Sequence, residues 1–320
     1  MKNEHLMSVL KAPEAGALGG LLVIIIVFLI LSPGFLSVQS VTSMFTLASE
    51  LGIVAIGVSL LMISGEFDLS VGAVFALSTL IFVRTANAGV NPIIAFLLTL
   101  TACALIGLLN GFITIRAGIP SFISTLGAMM FWRGVLLYAT GGFPVAYEAD
   151  KRILFFLGGR IYEMLRATGI WFILLTILFN WILKTTRYGN WVLATGGNRE
   201  AARAAGVSVD KIKMRNFMLC SLLAGLSGTT NLARYLISQP MLGSGMELEA
   251  VAASVIGGNL LTGGYGSIMG TFIGALLMGM IRTGLVSIGV APYLYTAFTG
   301  IILVVSVIVN MTVIKRRVGR

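Results

Sequence analysis

Long apolar runs, separated by short breaks rich in glycine, proline and polar residues, make up most of the chain. An α-helix needs roughly 20 apolar residues to cross a hydrocarbon layer of about 30 Å. The runs are continuous and lack the alternating polarity of membrane β-strands, which disfavours a barrel. We therefore predict an all-α integral membrane protein, a bundle that forms a single domain over residues 1–320. About ten transmembrane helices are expected, at residues 17–32, 46–63, 69–84, 92–114, 120–139, 169–184, 216–236, 247–262, 267–288 and 293–313.

The composition agrees with a bundle embedded in lipid. Hydrophobic residues make up 57% of the 320 residues and charged residues 11%, and the mean hydropathy is +0.98. A water-soluble globular domain of this size does not have such a composition. The 39 glycines suit closely packed helices, because small residues let helix backbones approach each other in a membrane.

The positions of lysine and arginine indicate which side of the membrane each loop faces. The chain has a formal net charge of +10, but its basic residues lie mainly at the ends of apolar runs, which argues against a nucleic-acid partner. An even number of helices places both termini on one side. If that side is the inside, the inner segments hold 14 Lys and Arg residues and the outer segments hold six. The positive-inside rule therefore predicts cytoplasmic termini.

Few residues are available for metal, redox or nucleotide chemistry. Cys103 and Cys220 lie in separate apolar runs, and the single histidine, His5, lies in the polar N-terminal tail. This distribution predicts neither a disulfide nor a metal site. The sequence also lacks a GxxxxGK(S/T) phosphate-binding loop and a set of residues that could act together in catalysis. We expect the chain to bind no cofactor and not to be an enzyme, with any ATP bound by another subunit.

Two predicted loops are long enough to do more than connect helices. The outer loop, residues 140–168, either docks an external partner or forms an amphipathic helix on the membrane surface. The inner loop, residues 185–215, contains a short predicted helix from Arg199 to Ala205, which Asn198 caps and Gly206 ends. A helix this short is unstable alone in water, so it is either covered by a partner or a solvated part of the loop.

The inner loop resembles a segment of known permeases. Its sequence GGNREAARAAGVSVDKIK is similar to the pattern GGNxxAARxxGIxVxxxK of ribose-, xylose- and autoinducer-type permeases among the binding-protein-dependent ABC importers. Three further stretches, Leu51–Ser78, Ile119–Gly134 and Val255–Gly279, agree with that family. The resemblance therefore covers nearly all of residues 31–314.

The resemblance implies partners and a direction of transport. In such importers the loop helix sits in a groove of a cytoplasmic ATPase subunit, which binds ATP and Mg²⁺, and transmits its closure to the membrane helices. The other implied partners are an external solute-binding protein and a second permease, either a copy or a paralogue, in the bacterial inner membrane. The solute would be a pentose, hexose, polyol or related sugar-like molecule moved into the cytoplasm. The resemblance assigns ATPase coupling to Asn198, Arg199, Glu200, Ala201, Ala202, Arg203, Gly206 and Val207.

Two glycine-interrupted segments, Gly65–Gly72 and Gly263–Gly270, share an outline at an offset of 198 residues. Paired breaks of this kind line the solute path in some transporters, but glycine-rich apolar sequences also match each other by chance. Asp68 could equally cap the following helix. The family commonly has GGIDLSVG where this chain has GEFDLSVG. A path for a neutral sugar needs aromatic faces and hydrogen-bonding groups, for which the candidates are Glu66, Phe67, Asp68, Phe122, Ser124, Phe131, Trp132 and Tyr265.

The remaining signals leave alternatives open. Gly266, Gly270 and Gly274 recur every fourth residue, which predicts a helix face for close packing. Arg133 and Arg282 fall inside apolar runs, where a charge either serves function or extends to the membrane interface. Alternative functions are an ion-coupled secondary transporter and a membrane enzyme. A secondary transporter would bury acidic or histidine residues as ion sites, whereas the acids here lie near the predicted helix ends.

Overall fold

The computed structural model describes residues 15–162, 165–291 and 293–318, so His5 lies outside the described residues. Helices dominate these ranges. They are α1 (Ala15–Leu31), α2 (Val38–Ile63), α3 (Val71–Asn87), α4 (Pro92–Ala117), α5 (Ser121–Thr140), α6 (Arg152–Gly158), α7 (Ala167–Thr185), α8 (Arg187–Gly197), α9 (Arg199–Ala204), α10 (Val209–Tyr235), α11 (Met246–Ile256), α12 (Ile268–Ser287) and α13 (Leu294–Val318).

Local sequence explains where the long helices begin and end. The Ser37 hydroxyl accepts a hydrogen bond from Ser40 N at 3.3 Å and caps α2. At the start of α4, Asn91 Oδ1 accepts from Ile93 N at 2.9 Å, and Pro92 occupies the first turn, where its missing N–H has no helical partner to lose. The same helix ends at Gly118, which adopts a left-handed conformation with φ 66°.

Helices α2 and α10 form the centre of the bundle. Helix α2 packs against α7, α10, α11 and α12, and α10 packs against α2, α3 and α4. Close contact depends on small residues, since a methyl group added at Gly57 would lie 2.8 Å from Cys220 Cα. Helices α4 and α5 instead present exposed leucine, isoleucine and phenylalanine side chains on the outside of the bundle. Lipid or another apolar surface is the natural solvent for such a face.

Among the described residues, five helices are long and apolar enough to cross a membrane, namely α2, α4, α5, α7 and α12. Three shorter apolar helices lie at Gly16–Leu31, Val71–Asn87 and Leu294–Ile308. The predicted continuous helix at 247–262 is wrong, because α11 ends at Ile256 and has only 11 residues, or roughly 16 Å at 1.5 Å per residue. The predicted start of the second span at residue 46 is also wrong, since capping by Ser37 extends α2 back to Val38.

The two long loops contain regular structure. The outer loop forms α6, the antiparallel pair β2 (Arg160–Tyr162) and β3 (Leu165–Arg166), and β1 (Val145–Ala146). Strand β1 pairs with β4 (Ile237–Ser238), which follows α10. The inner loop contains two helices, α8 and α9, where the sequence predicted one.

Candidate functional site

The short helix α9 projects from the bundle. Asn198 Oδ1 accepts from Ala201 N at 3.0 Å and caps its first turn, and Gly206, with φ 82°, ends the helical segment. Ala202 is buried, whereas Ala201, Ala204 and Ala205 are exposed. Two ion pairs to Asp210 hold the helix against the start of α10, from Arg203 Nη2 at 2.8 Å and from Arg199 Nη2 at 3.3 Å. The exposed surface of α9 therefore consists largely of small alanines beside charges.

Helix α8 anchors α9 to the bundle. The Tyr188 hydroxyl donates to Asn216 Oδ1 of α10 at 2.6 Å, and Asn216 Nδ2 donates to Leu60 O of α2 at 3.2 Å. Burial raises the pKa of Tyr188 to about 12, so the hydroxyl keeps its proton and remains a donor at neutral pH. Movement of α8 is thus directly linked to the two central helices.

Three glycine segments meet where α8 ends. A methyl group at Gly263 would lie 2.9 Å from Gly65 Cα and 3.2 Å from Gly196 Cα. Gly264 N donates to Ile63 O at 2.8 Å, which joins the break after α11 to the end of α2. We call the region where Gly65, Gly196 and Gly263, together with the residues next to them in the chain, contact one another the glycine junction. The sequence predicted each segment separately, but not that the end of α8 packs against both breaks.

The break between α2 and α3 is held by buried polar side chains. Asp68, 2% exposed, accepts from Ser70 N at 2.8 Å and from Ser70 Oγ at 2.6 Å, directly before α3 begins. The backbone N–H groups of Phe67 and Leu69 donate to hydroxyl oxygens of α5 residues, at 3.1 Å each. Asp68 therefore holds the backbone of the break just before α3, but it does not cap the helix, because the N-cap residue is Ser70 and it makes no side-chain capping bond.

The second break uses different groups. Asn259 Oδ1 accepts from Ser267 N at 2.7 Å, and Asn259 Nδ2 contacts Ser59 Oγ and, at 3.1 Å, Thr271 Oγ1. Gly65 and Gly263, paired by the offset of 198, have nearly equal φ values of 83° and 82°. The two breaks therefore share backbone shape at this position, while the side chains that stabilise them differ.

The eight candidate path residues do not form one site. Glu66, Phe67 and Asp68 lie in the first break, and Tyr265 lies in the second, close to the glycine junction. On α5, Phe122 and Phe131 are 56% and 61% exposed. The other two α5 candidates also have local partners: Ser124 Oγ is 2.7 Å from Thr114 Oγ1, and Trp132 stacks edge-on against Phe131.

The three glycines that recur every fourth residue, Gly266, Gly270 and Gly274, lie in two different parts of the structure. Gly270 and Gly274 lie on α12 and contact α11, where added methyl groups would meet Gly257 and Ala253. Gly266 precedes α12 and lies in the break, beside Asn259 and Ile63. The three therefore do not share a single helix face, because α12 begins only at Ile268.

A cavity of about 250 Å³ lies among α2, α3, α10, α11 and α12. The apolar part of its wall includes Phe75, Tyr235 and Leu242. The polar or charged lining residues include Glu50, Asn231, Gln239, Ser244, Glu249 and Arg282. These residues are distant in the sequence, so sequence reasoning missed the site. Only Arg282 had been singled out, as a charge within an apolar run.

Part of the cavity wall is irregular backbone between α10 and α11. Leu236, at the end of α10, has φ 58°, a conformation that non-glycine residues seldom adopt, and it turns the chain back toward the bundle. Ser238 Oγ then lies 2.6 Å from Thr79 Oγ1, in the middle of α3. Within segment 236–245, Ser238 and Pro240 are buried, whereas Ile237, Gln239, Met241 and Ser244 are exposed.

Two acid–base pairs flank the cavity. Glu50, 4% exposed, accepts from Asn231 Nδ2 at 2.9 Å and from Arg234 Nη1 at 3.5 Å. Glu249 Oε2 accepts from the Tyr295 hydroxyl at 3.2 Å and lies 4.0 Å from Arg282 Nη1. Glu50 lies twelve residues inside α2, roughly 18 Å from its start. The expectation that the acids lie near helix ends is therefore wrong for Glu50.

Comparison with known proteins identifies the family. Residues 40–307 match the family described as branched-chain amino acid transport system, permease component. The chain belongs to this permease family. It is 35% identical over 301 residues to the ribose import permease protein RbsC of Escherichia coli K12, with 93% of each chain covered.

Two other relatives widen the comparison. The xylose/arabinose import permease protein XylH of Sulfolobus acidocaldarius is 32% identical over 296 residues, covering 90% of this chain and 82% of the relative. The autoinducer 2 import system permease protein LsrC of Photorhabdus luminescens is 33% identical over 252 residues, covering 79% and 76%. These matches confirm the resemblance seen in the sequence, and the family and the apolar helices together indicate a multi-pass membrane protein.

Proposed function

We propose that the chain is the membrane-spanning permease subunit of an ATP-driven importer that moves a sugar or sugar-like solute into the cytoplasm. The names of its relatives, which include ribose and xylose/arabinose import permeases, support the solute class. The observation that carries the proposal is the position of α9. Its exposed alanines suit a partner's groove, and the helix before it ends in the glycine junction. A partner that moves α9 would therefore move both helix breaks.

ATP is hydrolysed on a partner subunit in this proposal. An external solute-binding protein delivers the solute, and a second permease, a copy or a paralogue, completes the complex. The coupling residues are those assigned from the resemblance, Asn198–Ala202, Arg203, Gly206 and Val207. This chain contributes no cofactor.

The proposed topology has ten crossings in one domain of the bacterial inner membrane, with both termini cytoplasmic. The eighth crossing consists of the irregular segment 236–245, the short helix α11 and the second break. Irregular backbone at membrane depth is tolerated where it is buried in protein or lines a water-filled cavity. Five residues of this segment line the cavity: Ile237, Gln239, Leu242, Gly243 and Ser244. This arrangement keeps α9 and both helix breaks on the cytoplasmic side.

The test is reconstitution of the chain with its ATPase and solute-binding protein in proteoliposomes. Uptake of radiolabelled D-ribose or D-xylose should require ATP. Ala201→Trp and Ala204→Trp should prevent co-purification of the ATPase, because both alanines are exposed on α9 and no folding contact is lost. The matched control is Ala117→Trp, which should retain the ATPase. Ala117 is also an exposed alanine, but it lies at the end of α4 and not on α9.

The main alternative is an ion-coupled secondary transporter. It would require the chain alone to accumulate solute in vesicles when an ion gradient is imposed. Uptake of that kind, without ATPase or ATP, would overturn the proposal. Retention of the ATPase by both tryptophan variants would remove α9 from the coupling surface.

A further inference from the structure

We propose that the cavity between α2, α10 and α11 binds one neutral polyhydroxylated solute molecule, and that Glu50, Asn231 and Glu249 recognise its hydroxyl groups. This inference rests on the proposed function and deepens it. It locates the solute in a site that the sequence motifs did not indicate. The candidate path residues on α5 have no part in it.

Asn231 provides the first reason. Its side chain is 5% exposed and lines the cavity, and its Nδ2 donates to Glu50 Oε2 at 2.9 Å. That bond fixes the orientation of the amide, because only its nitrogen can donate to a carboxylate. Within the described part of the chain, the Asn231 Oδ1 atom is buried without a hydrogen-bond partner. A buried acceptor left unpaired is unfavourable, so the site is arranged for a donor that arrives from outside the chain.

The chemistry of the wall identifies the donor. Carboxylate and amide oxygens accept hydrogen bonds, and sugar hydroxyls both donate and accept. Bonds from a hydroxyl to an ionised carboxylate are stronger than neutral ones. Glu50 and Glu249 lie with Asn231 and Gln239 around the same cavity, so several neighbouring hydroxyls can be bound together.

Charge balance favours a neutral solute over an ion. Arg234 pairs with Glu50, and Arg282 lies beside Glu249, so each carboxylate already has a cationic neighbour. A cationic solute would have to displace an arginine, and an anionic one would meet two carboxylates. A neutral molecule disturbs neither pair.

Size and shape agree with a small solute. The cavity, at about 250 Å³, lies below the range of about 300–1,000 Å³ that drug-sized ligands occupy. Phe75 and Tyr235 line it and supply faces against which the C–H side of a sugar ring can pack. The occupant that fits these dimensions is a single monosaccharide or polyol.

The first experiment measures uptake by the complete importer in proteoliposomes. Asn231→Leu, which keeps the side-chain volume but removes the amide, should raise the KM for D-ribose roughly tenfold or more. Glu249→Gln should also raise KM. Asn180 offers a matched control, because its Oδ1 is likewise buried without a partner but it lies on α7, away from the cavity. Asn180→Leu should leave KM unchanged.

The second experiment detects binding without ATP. Ser244 is exposed at the cavity wall, whereas both native cysteines are buried. Ser244→Cys in the full-length chain should react with a small methanethiosulfonate reagent, and D-ribose should slow the reaction. L-Leucine, a similarly small but zwitterionic solute, should not. Ser287→Cys, exposed at the end of α12 and outside the cavity lining, should react at the same rate with or without sugar.

The outcomes separate the two proposals. ATP-dependent ribose uptake with an unchanged KM in both cavity variants and no protection of S244C would overturn the cavity assignment and leave the importer proposal standing. Protection of S244C by ribose in a complex that shows no ATP-dependent uptake would support the cavity and overturn the proposed energy source. Protection by L-leucine and not by ribose would overturn the solute class.

Discussion

Lys213 Nζ donates a hydrogen bond to Glu66 Oε1 at 2.6 Å and thereby joins the start of α10 to the first helix break. Both side chains are largely buried, at 8% and 15% exposure. Glu66 belongs to the motif in which this chain departs from its family, and Lys213 is the last residue of the inner-loop motif. The pair therefore connects the two segments that sequence reasoning had treated as separate sites.

Breaking this pair should destabilise the protein. Lys213→Met leaves the Glu66 carboxylate buried without its partner, at an expected cost of about 3 kcal/mol. The double variant Glu66→Gln/Lys213→Met removes both charges and should recover most of that loss. Thermal unfolding of the four proteins of this cycle in detergent measures the coupling. If the destabilisation of the double variant equalled the sum of the two single-variant effects, the coupling would be zero and the pair would contribute nothing.

The glycine junction gives a prediction with an adjacent control. A methyl group at Gly196 would lie 2.6 Å from Gly264 N and closer still to Ile63 O, whereas one at Gly197 would lie 3.7 Å from Gly264 Cα. Gly196→Ala should therefore destabilise the chain by about 1–3 kcal/mol and reduce uptake. Gly197→Ala removes a glycine from the same helix without a clash, so both changes share the gain in helix propensity. Indistinguishable unfolding temperatures and uptake in the two variants would contradict the close contact.

The cap of α9 should matter for coupling more than for folding. Asn198→Ala removes the bond to Ala201 N and should weaken the helix by about 1 kcal/mol. Asn198→Asp keeps an acceptor at the cap and should restore function. The measurement is the ratio of solute imported to ATP hydrolysed, together with thermal unfolding as a control. A normal ratio for Asn198→Ala would mean that α9 is ordered by its partner alone.

The topology can be tested with single cysteines, since Cys103 and Cys220 are buried and should react slowly. Ala88, Ala117 and Ala205 are exposed at helix ends or in the inner segment. A membrane-impermeant maleimide should label Ala88→Cys in intact cells. Ala117→Cys and Ala205→Cys should be labelled only after the membrane is permeabilised. Labelling of Ala205→Cys in intact cells would reverse the orientation and remove α9 from the cytoplasm.

Local signals made most helices predictable. The apolar run and Pro92 located α4, and Asn198 and Gly206 bounded α9, because caps and breakers act within a few residues. The extension of α2 to Val38 was missed, although Ser37 is a capping residue, because the polar residues between 37 and 46 lowered the hydropathy there. A search for caps upstream of each apolar run would have found it.

The cavity could not be predicted in the same way. Glu50, Asn231 and Glu249 come from three helices, and nothing in their spacing along the chain reveals that they meet. The path of segment 236–245 was also unpredictable, because it depends on the turn at Leu236 and the bond between Ser238 and Thr79. Aromatic residues on α5 looked like solute ligands by type, yet Phe122 and Phe131 face away from the bundle.

The paired charges around the cavity have a consequence for the electrical behaviour of transport. Moving one elementary charge across a membrane potential of 100 mV involves about 2.3 kcal/mol. Glu50 with Arg234, and Glu249 with Arg282, place equal numbers of positive and negative charges beside the cavity. A neutral solute that enters and leaves it carries no charge through the field. The rate of solute passage should therefore be the same whether the membrane potential is present or has been abolished.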